Sequence, residues 1–474
     1  MEPPHNAPRP FDSRLSTLDC GSLRRDLTLT NGTAIVVANM IGAGIFGITG
    51  FLAGDLGKPS LVLGIWAAGA LVALAGCLCY AEMAINLPRS GGEYIYLREA
   101  WGPAWGFLSG WISFFAGFAA PIAAAALLFS EYLAYFFPAL SSKSPAGLLS
   151  TTSRWIHIDD GHLLAVGVVV VFALVNILGV RFAAKIQNVL TGLKVAILGV
   201  FLVLAFLIGK GSFAHFSAEA VRTSHHSLGG QCAVSLIFVM FAYSGWNAAT
   251  YVAEEMKAPE RTLPASLVAG TSIVAVFYLA LNAVFIYAMP LEAMKGIERI
   301  GGAVAEALFG GKGGAFFSAV MSVGLLSTVS AMVIVGPRVY YAMAQDGCFF
   351  GGAARVHRRW GTPAQAILWQ SLAAALMILT GTFESLLYYI GFALILFAAL
   401  AVAGLVRLRT RPAWKGLAAV SWGYPLAPAV FVCASVWMLG YTVALRPKES
   451  FFGLLTLGGG ALVYRWFFRR RAQA

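Results

Sequence analysis

The chain has 474 residues, of which 59% are hydrophobic and 11% are charged, and its net charge is +12. A soluble globular domain carries about 25% charged residues, so this composition excludes an ordinary soluble protein and indicates a chain that crosses a membrane many times. The positive charge does not indicate nucleic acid as a partner, because the basic residues fall in short loops between apolar runs.

Residues 1–28 are polar and rich in Pro and Arg. They contain no short apolar core followed by a small-residue cleavage site, so we predict a flexible cytoplasmic tail rather than a secretory signal peptide. The cysteines have no metal-binding spacing beyond Cys77 and Cys79, which lie in an apolar run and are interpreted as packing residues. We therefore expect no metal and no cofactor.

The apolar runs determine the predicted architecture. A helix that crosses the hydrocarbon core of a bilayer needs about 20 apolar residues. Twelve runs meet this requirement, and we number them as spans in chain order: 29–53, 60–86, 104–137, 162–179, 186–209, 228–255, 265–289, 313–345, 363–382, 384–407, 424–444 and 448–468. The sequence therefore predicts an all-α polytopic protein embedded in the lipid bilayer.

The loops and tails on the side of the N-terminus hold 21 Lys and Arg residues, whereas the loops on the opposite side hold 10. Loops rich in Lys and Arg stay in the cytoplasm. We therefore predict a multi-pass protein of the plasma (cell inner) membrane with both termini in the cytoplasm, the C-terminal tail being residues 469–474.

Two spans carry poor helix formers. Span 1 contains NMIGAGIFGITG (39–50), whose four glycines predict that it is not helical around Gly42–Ile45, because glycine inside a helix costs about 1 kcal/mol relative to alanine. Span 6 contains FAYSGWNAATYVAEE (241–255), where Ser244, Gly245 and Asn247 interrupt the apolar run. The sequence therefore predicts two broken helices.

Interrupted spans at matching positions of two blocks of five predict an inverted-repeat transporter. Unwound backbone is tolerated in a membrane where it lines a cavity or is buried in protein. The free N–H groups of one half-helix suit a carboxylate and the free carbonyl groups of the other suit an ammonium group, so the breaks predict a site for a zwitterion. The alternative is that the glycines of span 1 let two intact helices pack closely.

Three stretches carry a resemblance to a known family. GAGIFGITG (42–50) resembles the G-S-G-I-F signature of the amino acid–polyamine–organocation (APC) transporters. FAYSGWNAATYVAEEMKAPERTLPASL (241–267) resembles span 6 and the following loop of the L-type amino acid transporter branch, and AEMAINLPRSGGEYIYLREAWGPAWGFLSGW (81–111) resembles that branch from span 2 to the start of span 3. The resemblance covers about the first 410 residues and is most specific around span 6.

The resemblance implies a LeuT-type 5+5 fold and secondary active transport of amino acids by alternating access. Residues 29–209 (spans 1–5) and 228–407 (spans 6–10) would form the two inverted repeats, and residues 424–468 (spans 11 and 12) would be peripheral. In the family, backbone amides at the first break bind the substrate carboxylate, which implies this role for Ala43, Gly44 and Ile45. The usual serine of the motif is Ala43 here, so no hydroxyl is available at that position.

The family's contacts to the substrate ammonium group carry over to five carbonyl groups. These belong to Met40, Ile41, Phe241, Ala242 and Gly245. Phe241 also matches the aromatic residue that closes over the substrate from outside in relatives.

Asn247 bears on substrate class, because relatives that handle cations carry a carboxylate there. A buried positive side chain needs a counter-charge. No counter-charge is evident in the core, because the following carboxylates lie at or near helix ends: Glu82, Glu131, Glu254, Glu255 and Glu384. We therefore expect neutral L-amino acids, with cationic amino acids or polyamines as the alternative. A helix-capping role for Asn247 also stays open.

Lys194 lies inside span 5, and a lysine within a membrane span is a functional candidate. The resemblance implies a position near the first break, where sodium-coupled relatives bind a cation and some members have a lysine whose ammonium can replace sodium. We therefore predict sodium-independent transport, by proton symport or amino acid exchange. Two alternatives stay open: Lys194 could extend toward the membrane edge, or Ser327, Thr328 and Ser330 of span 8 could help to bind sodium.

Other functional classes have less support. An enzyme is not expected, because the seven histidines lie in loops, in the tail or at a helix end and no HExxH motif is present. A channel is not expected, because no repeated filter loop is visible. An amino acid sensor that moves no substrate stays open. L-type relatives in animals join a heavy subunit through a cysteine after span 3, and the matching loop 138–161 has none, so we expect no disulfide-linked heavy subunit.

Overall fold

The structure is a computed structural model that describes residues 27–87, 91–141, 150–152, 157–178, 180–345, 347–357, 362–412, 414–416 and 424–468. Residues 1–26 of the predicted N-terminal tail and the whole predicted C-terminal tail, 469–474, lie outside the described residues. Parts of the loop 138–161 also lie outside them.

The first half of the chain forms a succession of helices. They are α1 (Leu29–Met40), α2 (Ala43–Gly47), α3 (Thr49–Leu56), α4 (Pro59–Asn86), α5 (Glu93–Trp101), α6 (Pro103–Ile112), α7 (Ala120–Leu133), α8 (Asp160–Leu178) and α9 (Val180–Leu207). A π-helical segment, Ser113–Ala119, joins α6 to α7. A short antiparallel pair of strands, β1 (Ser150–Thr152) and β2 (His157–Asp159), precedes α8.

The second half continues with further helices. They are α10 (Leu228–Ala242), α11 (Pro259–Ala288), α12 (Leu291–Met294), α13 (Ile300–Phe309), α14 (Gly311–Gln345), α15 (Ala364–Thr380), α16 (Phe383–Leu408), α17 (Leu426–Leu445) and α18 (Pro447–Val463). A 3₁₀ helix, Ala248–Glu255, follows α10, and a π-helical turn, Tyr464–Phe468, follows α18.

Several long helices begin where local sequence favours a helix start. Pro occupies the first position of α4, α6, α11 and α18, where its fixed backbone angle suits the helix and its missing N–H is not needed. Thr382 and Ser385 form a reciprocal capping box at the start of α16. The long apolar runs that follow these starts then propagate as helices.

Among the described residues, nine helical stretches are long and apolar enough to cross a membrane, and four shorter apolar helices accompany them. Every predicted span coincides with one helix or with consecutive helical segments. Spans 1 and 6 are interrupted, span 3 contains the π-helical segment, and the others are α4, α8, α9, α11, α14, α15, α16, α17 and α18 in order. The chain is therefore a mostly helical, multi-pass membrane protein. The prediction missed α5 and α13, because each is too short to satisfy the length requirement for a span.

Contacts between spans recur when both span numbers are increased by five, counting cyclically through spans 1–10. Span 3 packs on span 10 as span 8 packs on span 5, and span 4 packs on span 3 as span 9 packs on span 8. Span 3 contacts span 9 as span 8 contacts span 4, and span 1 contacts span 7 as span 6 contacts span 2. The pairs 2–7, 3–8 and 4–9, each of which maps onto itself under this shift, are also in contact. Several contacts between spans therefore have a counterpart five spans further along the chain.

A buried carboxylate fixes one end of this assembly. Glu82, near the end of α4, is fully buried and accepts two hydrogen bonds from the guanidinium of Arg409, at 2.6 and 2.8 Å, and one from the indole of Trp414 at 2.9 Å. Arg411 bonds to Glu99 of α5 at 3.0 Å at a much more exposed position. The chain after α16 is thereby attached to α4 and α5.

We expect Arg409→Met to lower the thermal stability of the purified protein strongly, because removing one partner of a buried ion pair costs about 3–5 kcal/mol. Arg411→Met is the matched control, and its exposed pair contributes only about 0–1 kcal/mol. The melting temperature of both variants in detergent, measured by intrinsic fluorescence, tests this. Equal losses in the two variants would contradict the importance of the Glu82 pair.

Candidate functional site

Span 1 is interrupted, as its glycines predict. Helix α1 ends at Met40, Ile41 and Gly42 leave the helical conformation, and α2 begins at Ala43. The prediction that the chain is non-helical around Gly42–Ile45 was therefore partly wrong, because the break lies at Ile41–Gly42 and residues 43–45 already form the first turn of α2. Gly44 lies within α2 and permits a close contact with α10 instead of unwinding the chain.

Span 6 is interrupted as well. Helix α10 ends at Ala242, residues 243–247 form turns, and the 3₁₀ helix resumes at Ala248. Gly245 has a φ of +98°, a backbone conformation that residues with a side chain rarely adopt. This glycine is therefore required by the geometry of the break.

The two breaks lie against each other, and glycine permits the contact on both sides. A Cβ on Gly44 would lie 2.6 Å from the Cα of Ala242, and a Cβ on Gly245 would lie 2.9 Å from the carbonyl carbon of Asn39. Neither distance is compatible with a side chain unless the backbone moves. Sequence reasoning interpreted these glycines as helix breakers, whereas they also allow close backbone approach.

Tyr278 of α11 bridges the breaks, and sequence reasoning missed it. Its buried hydroxyl donates to the carbonyl of Met40 at 2.6 Å and to that of Ala242 at 3.1 Å. These are the last residues of α1 and α10, whose carbonyl groups lack helical partners. No sequence signal pointed to Tyr278, which is one aromatic residue in a long apolar run.

Lys194 of α9 lies beside the first break. Its ammonium group donates to the carbonyl of Ile41, and the residue is only 6% exposed. A narrow gap next to it is lined by Gly42, Phe46, Gly324 and Thr328, among others. The lysine therefore points into the protein and does not extend to the membrane edge.

The remaining predicted residues are distributed around the breaks. Phe241 is buried in the last turn of α10, next to Ala242. Asn247 precedes the 3₁₀ helix, but its side chain makes no capping bond there and instead donates to Glu93 of α5 at 3.3 Å. The structure thus brings Asn247 together with a carboxylate that the sequence reasoning did not consider.

The serine and threonine side chains of span 8 are placed differently from one another. Thr328 bonds back to the carbonyl of Gly324 at 3.2 Å. Ser327 and Ser330 are buried, and the hydroxyl of Ser327 has no hydrogen-bond partner within the described part of the chain. Among the described residues, no group of three or more His, Cys, Asp or Glu could hold a metal ion.

The arrangement places backbone groups of opposite polarity close together where the two breaks meet. The first N–H groups of α2, at residues 43–45, have no acceptor within the helix and suit an anion. The carbonyl groups of Met40, Ile41 and Ala242 each retain a second lone pair beyond the bonds from Tyr278 and Lys194, and so can accept from a cation. Both half-sites lie where α1 and α10 meet.

A family model described as amino acid permease matches residues 27–457. The match covers most of the chain. The chain belongs to the amino acid permease family. This confirms the predicted APC transporter and, together with the relatives, the L-type branch. The family consists of permeases, which also confirms that the chain is not an enzyme.

Three curated relatives show the range of similarity. The mouse Large neutral amino acids transporter small subunit 2 is 28% identical over 94% of the chain and 81% of the relative. The mouse b(0,+)-type amino acid transporter 1 is 32% identical over 82% of the chain and 77% of the relative. The mouse Asc-type amino acid transporter 1 is 27% identical over 94% of the chain and 81% of the relative. All three are similar over most of their length.

We expect Gly44→Val to abolish transport while leaving membrane insertion intact, because the new side chain would collide with the backbone of Ala242. Gly64→Val is the matched control in α4, since nothing lies within 4 Å of a Cβ at that position. Uptake of radiolabelled amino acid into proteoliposomes, normalised to inserted protein, gives the comparison. If Gly44→Val takes up amino acid at the wild-type rate, the contact between the breaks is not required for transport.

Proposed function

We propose that this amino acid permease is a sodium-independent secondary transporter of neutral L-amino acids that works by alternating access. The observation that carries the proposal is the meeting of two interrupted helices, α1–α2 and α10, at a point with free N–H groups on one side and carbonyl groups on the other. A zwitterionic amino acid fits such a pair of half-sites, because its carboxylate and ammonium groups are fixed a short distance apart.

We further propose a LeuT-type fold of two inverted repeats, residues 29–209 and 228–407, with residues 424–468 peripheral. The equivalent contacts of spans related by a shift of five support this division. Because each repeat has an odd number of spans, the second repeat starts on the opposite side of the membrane from the first and is inverted relative to it. Twelve spans would place the tails, residues 1–28 and 469–474, on one side, and the distribution of basic residues favours the cytoplasm.

In the proposed site the substrate carboxylate binds the amides of Ala43, Gly44 and Ile45 at the start of α2. The substrate ammonium binds carbonyl groups at the ends of α1 and α10, belonging to Met40, Ile41, Phe241, Ala242 and Gly245. Tyr278 and Lys194 already donate to three of these carbonyl groups, so they are expected to adjust when substrate enters.

Neutral substrates are favoured by the residues of the breaks. Residues 39–47 and 241–247 contain no Asp or Glu, so no carboxylate of the breaks themselves would pair with a cationic side chain. One relative is named for large neutral amino acids, and another is a b(0,+)-type transporter. A second candidate, transport of cationic amino acids, is favoured by Glu93, whose carboxylate lies 3.3 Å from the amide of Asn247.

The proposed setting is the plasma (cell inner) membrane, without a disulfide-linked heavy subunit. The sequence of the loop 138–161 supports the latter, because it contains no cysteine. A single band of monomer mass on a non-reducing gel of native membranes is the expected result.

Uptake by purified protein in proteoliposomes tests the function directly. We expect saturable uptake of neutral amino acids, little uptake of lysine or arginine, and no dependence on sodium. Preloading with unlabelled substrate distinguishes the mechanisms, since stimulation from the opposite side indicates exchange and acceleration by an inward proton gradient indicates symport. Binding without uptake of any amino acid would favour a sensor, and uptake of lysine with neutral substrates excluded would favour the second candidate.

We expect Lys194→Ala to reduce sodium-independent uptake strongly, because it removes the ammonium group that binds the carbonyl of Ile41 at the first break. Gly199, on the same helix, has nothing within 4 Å of a Cβ, so Gly199→Ala is the matched control. Both variants are assayed with and without sodium. Wild-type uptake that requires sodium and persists in Lys194→Ala would refute a coupling role for this lysine.

A further inference from the structure

Glu93 is a carboxylate that has no role in the proposed substrate site. It is the first residue of α5, in the short hairpin between spans 2 and 3. Its Oε1 atom accepts a hydrogen bond from the hydroxyl of Tyr80 in α4 at 2.7 Å and another from the amide of Asn247 at 3.3 Å. Glu93 therefore joins the hairpin to span 2 and to the segment directly after the break in span 6.

The hairpin and the segment after the break are closely packed. A Cβ on Gly92 would lie 2.7 Å from the ring of Tyr251, so a glycine is required next to Glu93 for this approach. Tyr80 packs edge-to-face against Trp246 at 4.6 Å and against Tyr96 at 5.4 Å between ring centroids. Aromatic rings thus surround the phenol that donates to Glu93, and Glu93 itself is half-buried beside them.

Only neutral partners face this carboxylate within the described residues. The titratable groups around it are three phenols: Tyr80 on α4, Tyr96 on its own helix and Tyr251 after the break. No lysine or arginine among the described residues pairs with it, residues 88–90 lying outside that part of the chain. The N-terminus of α5 is the remaining positive influence. Such a carboxylate is best neutralised by a proton.

We propose that Glu93 is a proton-binding site whose protonation state controls the contact between the α5 hairpin and the segment of span 6 that follows the break. Both donors use the same oxygen, Oε1, so a proton on Oε2 leaves the two hydrogen bonds intact. The neutral acid is thus compatible with the observed packing. The charged form is better stabilised by water, which it reaches when the hairpin and the segment separate.

The direction of the pH effect follows from linkage. Burial raises the pKa of Glu93 from 4.5 to about 7, while the hydrogen bond from Tyr80 opposes this shift. A group that binds protons more tightly in the packed state stabilises that state at low pH, so packing weakens as pH rises through the interval from about 4.5 to about 7. Between pH 6 and pH 8 the separated form gains by a factor of about 10 relative to the packed form.

The inference rests on the proposed function for its meaning in transport. Asn247 lies two residues after Gly245, so the state of the Glu93 contact reaches the proposed substrate site through one short segment. Loss of the proton would free this segment to move and would promote release of substrate on the side of the hairpin. Glu93 is a positioning residue in this scheme, since it acts through Asn247.

Glu93→Gln tests the proposal, because the amide keeps an acceptor oxygen but does not titrate between pH 5 and pH 8. Exchange rates of wild type and variant are measured in proteoliposomes at pH 6, 7 and 8, with the same pH on both sides. We expect the ratio of the wild-type rate to the variant rate to rise with pH by up to about tenfold. A ratio that stays constant or falls overturns the proposal.

Two further variants sharpen the test. Glu99→Gln is the matched control on the same helix, since Glu99 pairs with Arg411 and not with Asn247, and its pH profile should equal that of wild type. Tyr80→Phe removes the hydrogen bond that lowers the pKa of Glu93, so it should shift the midpoint of the pH profile to higher pH. An unshifted midpoint in Tyr80→Phe counts against the assignment, even if Glu93→Gln is not produced in folded form.

A readout without transport separates this inference from the proposed function. In detergent, the melting temperature of Glu93→Gln minus that of wild type should increase as pH rises from about 5 to about 7. This difference should then stay constant above pH 7. A difference that does not change with pH overturns proton binding by Glu93. If the pH-dependent difference appears and wild type moves no amino acid, the proton site stands and the proposed transport function fails.

Discussion

The structure depends on the requirement that every backbone polar group within a membrane has a partner. An unbroken helix satisfies this requirement by itself, whereas a broken one exposes N–H groups at one new end and carbonyl groups at the other. Here two helices are broken at the same place in the molecule, and side chains from other helices supply partners for carbonyl groups at the breaks. Tyr278 donates to the ends of α1 and α10, and Lys194 donates to Ile41. The breaks therefore leave backbone groups without helical partners, which is unfavourable in a membrane, and the same groups are the polar groups of the candidate site.

The spans of the fold could be predicted from the sequence, because long apolar runs between polar loops determine them. All twelve predicted spans coincide with helices or broken helices of the structure. The short helices α5 and α13 could not be found this way, since helices of 9 and 10 residues are too short to meet the length requirement for a span. Their position depends on packing against the longer helices, which the sequence does not display.

The candidate site was predictable only in part. Glycines and polar residues in apolar runs revealed both breaks, but the exact break in span 1 was displaced, because Gly44 serves a close contact between backbones and not an unwound turn. Tyr278 gave no signal, since an aromatic residue in an apolar run is usually part of the core. Glu93 was overlooked for a different reason: it is the first residue of a short helix in a polar hairpin, and only the folded chain brings it to Asn247.

The hydroxyl of Tyr278 has a single hydrogen, yet two carbonyl groups depend on it. It can serve both only by sharing that hydrogen, which weakens each bond, or by alternating between them. The two carbonyl groups therefore share one donor hydrogen. An ammonium group has three donors, so under the proposed function a bound amine would donate to both carbonyl groups at once. Recognition of the amine would then depend on the backbone at the ends of α1 and α10 and not on the side chain of the substrate.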